Sequence, residues 1–377
     1  MKTILITGGA GFIGSRLALA LEAEGYGVTV LDNLLPQVHG ECPEVSSPLY
    51  RSIRDRVRFI HGDVTQQADW LKALEGQEAV VHLAAATGTG QSMYKISAYN
   101  EVNVGGTAHL LDCLVNGSHQ VKKIIVASSR AVYGEGKYHH PKLGVVYPRS
   151  RVVEAMGRGE FELFHEDGQL LQPMATDEEA GLHPTSVYGI TKLAQEQMVH
   201  TVAQALGIAS IAFRFQNVYG EGQSLLNPYT GILSVFSNQI LSGKSVNVFE
   251  DGRESRDFIH IDDAVRALKK GLENGTLKNE ILNVGTGVPV TVLSVAEHLR
   301  ANYGKSVDIQ VSGQFRLGDI RHNFADMTKT RRLLDFEAQT DFSEGMQKFT
   351  AWVLGQSIGE NRLEASLAEM ASRKLFF

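Results

Sequence analysis

The sequence predicts an α/β protein: a doubly wound parallel sheet, followed by a smaller C-terminal region. Three observations carry that prediction. A short apolar run, Lys2 to Thr7, leads straight into a glycine-spaced turn, Gly8-Gly9-Ala10-Gly11-Phe12-Ile13-Gly14, and then into a helical pattern. A second apolar run, Gly27 to Leu31, ends on an acid, Asp32. Beyond it, short apolar runs keep alternating with helical stretches. Strands buried on both faces read as near-continuous apolar runs. Alternation with right-handed crossovers makes a parallel sheet.

The first unit is the most specific. Gly9, Gly11 and Gly14 fit GxGxxG, and Gly8, Gly11 and Gly14 fit TGxxGxxG. Missing side chains let the turn close and the backbone approach a pyrophosphate. The helix that follows carries Phe12, Ile13, Leu17 and Leu21 on or near one face, and its N-terminal N–H groups suit a diphosphate. Asp32 stands where a dinucleotide site places its ribose ligand, ~20 residues downstream. A carboxylate there accepts from both ribose hydroxyls and repels a 2′-phosphate, so the pattern predicts a Rossmann site for NAD over NADP.

Further along, Arg56 to His61 predicts a strand ending near Asp63-Val64, and Thr65 to Leu74 a helix. Ala79 to Leu83 predicts a strand ending in small residues, Ala84 to Ala86, which leave room for a flat ligand. A long helix over about Tyr94 to Val115 carries Asn103, and Lys123 to Ala127 leads into Ser128-Ser129. Ile208 to Phe215 is a further strand; Asn238 to Gly243, Asp262 to Leu272 and Val292 to Tyr303 read as helices. Residues 1–215, with an insertion at 135–185, are read as the NAD-binding domain and 216–377 as the substrate-binding region, with some exchange of segments. The tail, Gly359 to Phe377, reads as an amphipathic helix with a ragged end.

A net charge of −6 gives no overall attraction to nucleic acid or anionic membrane. No uncharged apolar run approaches the ~20 residues of a membrane span. The two cysteines, Cys42 and Cys113, form no CxxC and read as reduced thiols of a cytoplasmic protein. His139, His140 and His165 lack a tight ligand spacing, so no metal is expected.

Tyr188 and Lys192, in Ser186-Val187-Tyr188-Gly189-Ile190-Thr191-Lys192, are four apart on a predicted helix and share a face. An ammonium beside a phenol favours the phenolate, which gives a general base near neutral pH.

Taken together, TGGAGFIG, Asp32, Asp63-Val64, HLAA, Asn103 with Gly106-Thr107, SSRAVYG at 128–134, YGITK at 188–192, RFQNVYG at 214–220, RDFIHIDD at 256–263 and RLGD at 316–319 resemble the extended short-chain dehydrogenase/reductases of the sugar-nucleotide epimerase/dehydratase group. The resemblance covers roughly residues 1–330. It implies catalysis by Ser129, Tyr188 and Lys192. It implies tightly bound NAD on Gly8, Gly11, Phe12, Ile13, Gly14, Asp32, Asn33, Asp63, Val64, Leu83, Ala84, Ala85, Asn103, Ser128, Tyr188 and Lys192. A nucleotide-diphosphate sugar would meet Gln91, Ser92, Ser129 and Arg130, with Asn217, Arg256 and Arg316 on its diphosphate. It also implies a homodimer through the helices around 94–115 and 186–206.

Relatives that dehydrate the sugar carry an Asp-Glu pair just before Val-Tyr-Gly. Arg130 and Ala131 stand there, which argues against dehydration and for 4-epimerisation. The Gly-Gln-Ser-Met-Tyr segment at 90–94 and the segment Asp32 to Gly40 are similar to dTDP-L-rhamnose 4-epimerases. That similarity implies interconversion of dTDP-L-rhamnose and dTDP-6-deoxy-L-talose. A UDP-glucose or UDP-glucuronate 4-epimerase is the alternative. A decarboxylase or reductase of the same superfamily, with Arg130 on a carboxylate, stays open; a non-enzymatic NAD-binding scaffold is disfavoured because Ser129, Tyr188 and Lys192 are all present. The charged insertion, Glu135 to Thr185, reads as a lid, a dimer contact or a solvated excursion.

Overall fold

The structure is a computed structural model that describes residues 1–225, 227, 231–356 and 363–377. Seven strands form the central sheet: β1 (Thr3–Thr7), β2 (Gly27–Asp32), β3 (Arg58–His61), β4 (Ala79–His82), β5 (Lys123–Ser129), β6 (Ala209–Phe215) and β7 (Glu280–Val284). Their order is β7-β6-β5-β4-β1-β2-β3, and every neighbouring pair is parallel. The order reverses between β1 and β4, so a crevice opens at the carboxyl ends of those two strands.

The strands are apolar because both faces are covered. Ile4 and Ile6 of β1 join the core beneath α1 (Phe12–Ala23), while Leu5 between them joins the core on the opposite face. That alternation is the period of two of an extended chain. The second face is filled from α2 (Gly106–Asn116) by Leu110 and Leu114, and from α3 (Val187–Leu206) by Val199 and Ala203. The first face is completed by Ala264, Ala267 and Leu268 of α4 (Ile261–Glu273), an element that lies late in the chain.

The long helix expected over 94–115 is interrupted. It runs as Ile96–Tyr99, one π-helical stretch at Asn100–Gly105, and then α2. The wider turn sets Asn103 inward, where its amide bonds the backbone of Ala86 on both sides and Thr191 Oγ1. The helix expected at 238–243 starts earlier, at Ile232, and the tail forms a helix, α5 (Leu363–Ser372); residues 359–362 of that expectation lie outside the described ones.

The insertion is a folded module rather than a solvated excursion. Tyr138–His140 pairs antiparallel with Gly144–Val146 and with Gln172–Pro173. Buried charges fasten it to the C-terminal region: Arg151 Nη1 and Nη2 donate to Glu250 at 2.7 and 2.8 Å, and Arg321 bridges Asp251 and Glu162. Two of the insertion's histidines meet an acid in three dimensions. The two hairpins bring His140, His165 and Asp167 within 4.8 Å of one another. His140 Nδ1 accepts the amides of Lys142 and Leu143, which leaves Nε2 to donate toward Asp167 at 3.2 Å. A ligating histidine normally donates from its second nitrogen, so the trio reads as a hydrogen-bonded cluster.

Candidate active site

One cavity of about 550 Å³ lies at the switch point, within the range of small-ligand sites. One end is the glycine turn. Gly8 adopts φ +66°, and a Cβ on Gly14 would lie 2.3 Å from the Gly8 carbonyl oxygen. A Cβ on Gly8 would lie 2.8 Å from the Ala84 backbone. The glycines therefore let three backbones close on one point, a cradle shaped for a diphosphate.

Gly8, Gly11, Phe12, Ile13, Gly14, Asp32, Asn33, Val64, Leu83, Ala84, Ala85, Ser128, Ser129, Arg130, Tyr188, Lys192 and Asn217 all line this cavity. Asp32 is pinned by the amides of Ala10 and Leu34, each at 2.9 Å. The other expected residues do not line it. Asp63 caps the turn at Thr65 and accepts from Asn33, and Asn103 ties down the Ala86 backbone. Ser92 is buried, and its Oγ accepts from the Tyr188 amide at 3.0 Å; Gln91 is buried beside Tyr99. These four hold the walls rather than form them.

The three groups expected on a diphosphate are not assembled. Asn217 lines the main cavity and accepts from Arg130 Nε at 2.6 Å. Arg256 faces a small adjoining cavity, shared with Arg130 and Asp319, and donates to the carbonyls of Ile320 and Arg321. Arg316 lies outside both; it pairs with Asp319 and stacks over Phe249. Both guanidinium groups are satisfied on nearby oxygens.

The catalytic helix α3 starts where Ser186 Oγ accepts from the Gly189 amide. Burial raises the Tyr188 phenol above its ordinary value; a hydrogen bond with Ser129 and the charge of Arg130 oppose the rise. Lys192 lines the same cavity as this phenol. Lys192 Nζ donates to Gln195 Oε1 at 2.9 Å, and burial takes its ammonium down to about 7. Gln195 continues to Thr107 Oγ1 at 2.8 Å, which lies 3.0 Å from His82 Nε2, whose Nδ1 lies 2.7 Å from Thr7 Oγ1. Burial keeps that imidazole neutral, at about 3. This chain of side chains aims Lys192 from below, and no sequence signal singled out Gln195.

Arg130 is half-buried, and among the described residues no carboxylate forms an ion pair with it. Burial first, then Arg256, takes it down to about 9. A second group absent from the sequence reading is Gln216. It lines the cavity with both amide atoms buried and unpartnered among the described residues. Its motif, RFQNVYG, was visible, but only Asn217 stood out within it.

Comparison with known proteins adds four findings. The profile of the NAD dependent epimerase/dehydratase family matches residues 4–151 and 163–285, skipping part of the insertion. The chain is 37% identical over 356 residues to a dTDP-L-rhamnose 4-epimerase of Burkholderia thailandensis, covering 93% of this chain and 95% of that one. Its fold matches a UDP-glucose 4-epimerase from Thermotoga maritima, solved with UDP-glucose, at TM-score 0.76 and 28% identity over 94% of this chain and 99% of that one. A UDP-glucuronic acid 4-epimerase from Bacillus cereus, solved with UDP-glucuronic acid and NAD, matches at TM-score 0.76 and 26% identity, with the same coverage.

Proposed function

The chain belongs to the NAD dependent epimerase/dehydratase family, and on that premise we propose that it inverts C4 of a nucleotide-diphosphate sugar, converting dTDP-L-rhamnose and dTDP-6-deoxy-L-talose into one another. The observation that carries the reading is the single cavity lined by the glycine cradle at one end and by Ser129, Tyr188 and Lys192 at the other. The cradle fits NAD: a Cβ at Gly8 or Gly14 would strike the backbone that closes the turn, and Asp32 stands fixed at the ribose end.

When bound, NAD would supply a reversible hydride acceptor for C4, with no net change in the cofactor over a turnover. The chain supplies the rest. Tyr188 takes the proton from the sugar O4, through Ser129 or directly, and gives it back after inversion. Arg130 and Lys192 supply positive charge around the phenolate. Asn217, Arg256 and Arg316 hold the diphosphate, with the two guanidinium groups turning from their present oxygens. The 4-keto sugar swings about that anchor and presents its other face. Positions 130 and 131 offer no carboxylic acid to expel a 6-hydroxyl, so the keto sugar is reduced without losing water.

A uronate substrate is the second reading, favoured by Arg130, which lines the cavity and has no carboxylate ion pair among the described residues. Incubation with a panel of dTDP- and UDP-sugars, read by proton NMR, separates the two; no inversion with any member overturns both. NAD stays bound through purification on this account, and acid release with assay of the supernatant checks it. NAD should also bind more tightly than NADP, because Asp32 repels a 2′-phosphate; calorimetry showing the reverse removes Asp32 from that role. A cytoplasmic location is proposed on the reading of Cys42 and Cys113 as reduced thiols. No described helix is long and apolar enough to cross a membrane. It is read as a homodimer through α3 and the helix before it. Ile96, Val115 and Ile190 are each more than half exposed there, and light scattering at the monomer mass contradicts the pairing.

A further inference from the structure

We propose that residues 363–377 act as a clasp that sets recognition of the sugar end of the substrate, by joining the segment around Gly90 to the segment around Arg316. The proposal deepens the epimerase reading and rests on it for the identity of the ligand.

At one end α5 places Met370, 2% exposed, against Gly90. A Cβ on Gly90 would lie 3.1 Å from Met370 Cε and 3.3 Å from Sδ, so a larger residue there would press on the thioether. The Tyr94 hydroxyl donates to Glu369 Oε2 at 3.1 Å. The Arg373 guanidinium sits 4.6 Å over the Tyr94 ring and pairs with Glu369 at 3.2 Å.

At the other end the chain leaves α5 and runs antiparallel to 315–317. The amides of Phe315 and Phe377 each donate to the other's carbonyl at 3.0 Å, and the Leu317 amide donates to the Leu375 carbonyl at 3.0 Å. Rings reinforce the ladder. Phe377 stacks on Phe315 at 5.3 Å, and Phe376 meets Phe249, the ring under Arg316, at 5.2 Å.

Both gripped segments continue into the site. Thr89, next to Gly90, lines both cavities, and Ser92 holds the Tyr188 amide. On the other side the Gly318 carbonyl accepts from Thr185 Oγ1 at 2.8 Å, and Asp319 lines the small cavity with Arg130 and Arg256. Residues 363–377 thus back two walls at the sugar end, while the glycine cradle lies at the other end of the cavity. A backing element of this kind acts on how firmly a substrate is positioned.

The test compares the full chain with a chain lacking residues 363–377. The expected result is a KM for the nucleotide sugar raised about tenfold or more, kcat within about threefold, and unchanged bound NAD. Hydrogen exchange should quicken in 88–94 and 315–319 and stay unchanged in 8–14. Unchanged KM and exchange overturn the proposal, and so does parallel loss of NAD and turnover. Point variants provide a check that does not depend on the truncated chain folding: Gly90→Val should raise KM, and adding Met370→Ala should restore much of it. Additive losses overturn the clasp. Exchange needs no substrate, so wild-type protein inert toward every sugar would defeat the epimerase reading while exchange still decides the clasp.

Discussion

Replacing Gly14 by alanine tests the cofactor cradle with one methyl group. The added Cβ would lie 2.3 Å from the Gly8 carbonyl oxygen and 2.6 Å from Gly9 Cα, whereas comfortable heavy-atom contacts are ~3.5 Å or more. Both neighbours are backbone, so no side chain can turn aside, and the start of α1 must withdraw from the turn by about 1 Å. Overpacking of this kind costs about 1–3 kcal/mol. The displaced atoms include the N–H groups aimed at the diphosphate, so the same energy falls on NAD binding, where ~1.4 kcal/mol is tenfold. The variant should bind NAD about ten- to a hundredfold more weakly and emerge from purification depleted of it. The assay is NAD released by acid per subunit, with activity before and after NAD is added back. Gly275→Ala is the control: like Gly14 it lacks a positive φ, but its Cβ meets nothing within 4 Å and it does not line the cavity. Wild-type NAD content and turnover in Gly14→Ala would refute the reasoning.

Two further predictions concern charge. Arg130→Met removes a cation that favours the Tyr188 phenolate, so the pKa of the base rises and the acid limb of the kcat/KM profile should move to higher pH, while Arg130→Lys keeps most of the wild-type profile; an unmoved limb contradicts the role. Glu196→Gln breaks the Arg214–Glu196 pair, 2.6 Å apart with both side chains buried, and weakens the bond from Ser128 Oγ; it should cost about 3–5 kcal/mol in urea unfolding because Arg214 is left uncompensated, and an unchanged midpoint would show that the pair contributes little.

What was legible in the sequence was local. The β1-turn-α1-β2 unit depends on glycines, a strand and an acid that lie within one short stretch, and Tyr188 and Lys192 depend only on helical spacing. What was not legible depended on contacts distant in the chain. The partner of Lys192 is on its own helix, but the chain beyond it ends at His82 and Thr7. Asp63 and Asn103 sit in recognisable motifs, yet their side chains bond the protein's own turns and strands. A motif marks that a position matters without saying whether it faces the cavity or braces it. The insertion escaped because its charges look solvated in isolation; Glu250 and Arg321 meet its Arg151 and Glu162 only in the folded chain. The tail escaped for the same reason, since its partners at Gly90, Tyr94 and Phe315 lie far upstream.

The central claim is that Tyr188 and a resident NAD together invert C4 of a nucleotide-linked sugar. Proton NMR of purified protein with dTDP-L-rhamnose, without added NAD, tests it most directly. The account predicts signals of the C4-inverted sugar growing to a fixed ratio, and none from Tyr188→Phe with its NAD intact. Equal conversion by that variant, or an unchanged spectrum with every dTDP- and UDP-sugar tried, would contradict it.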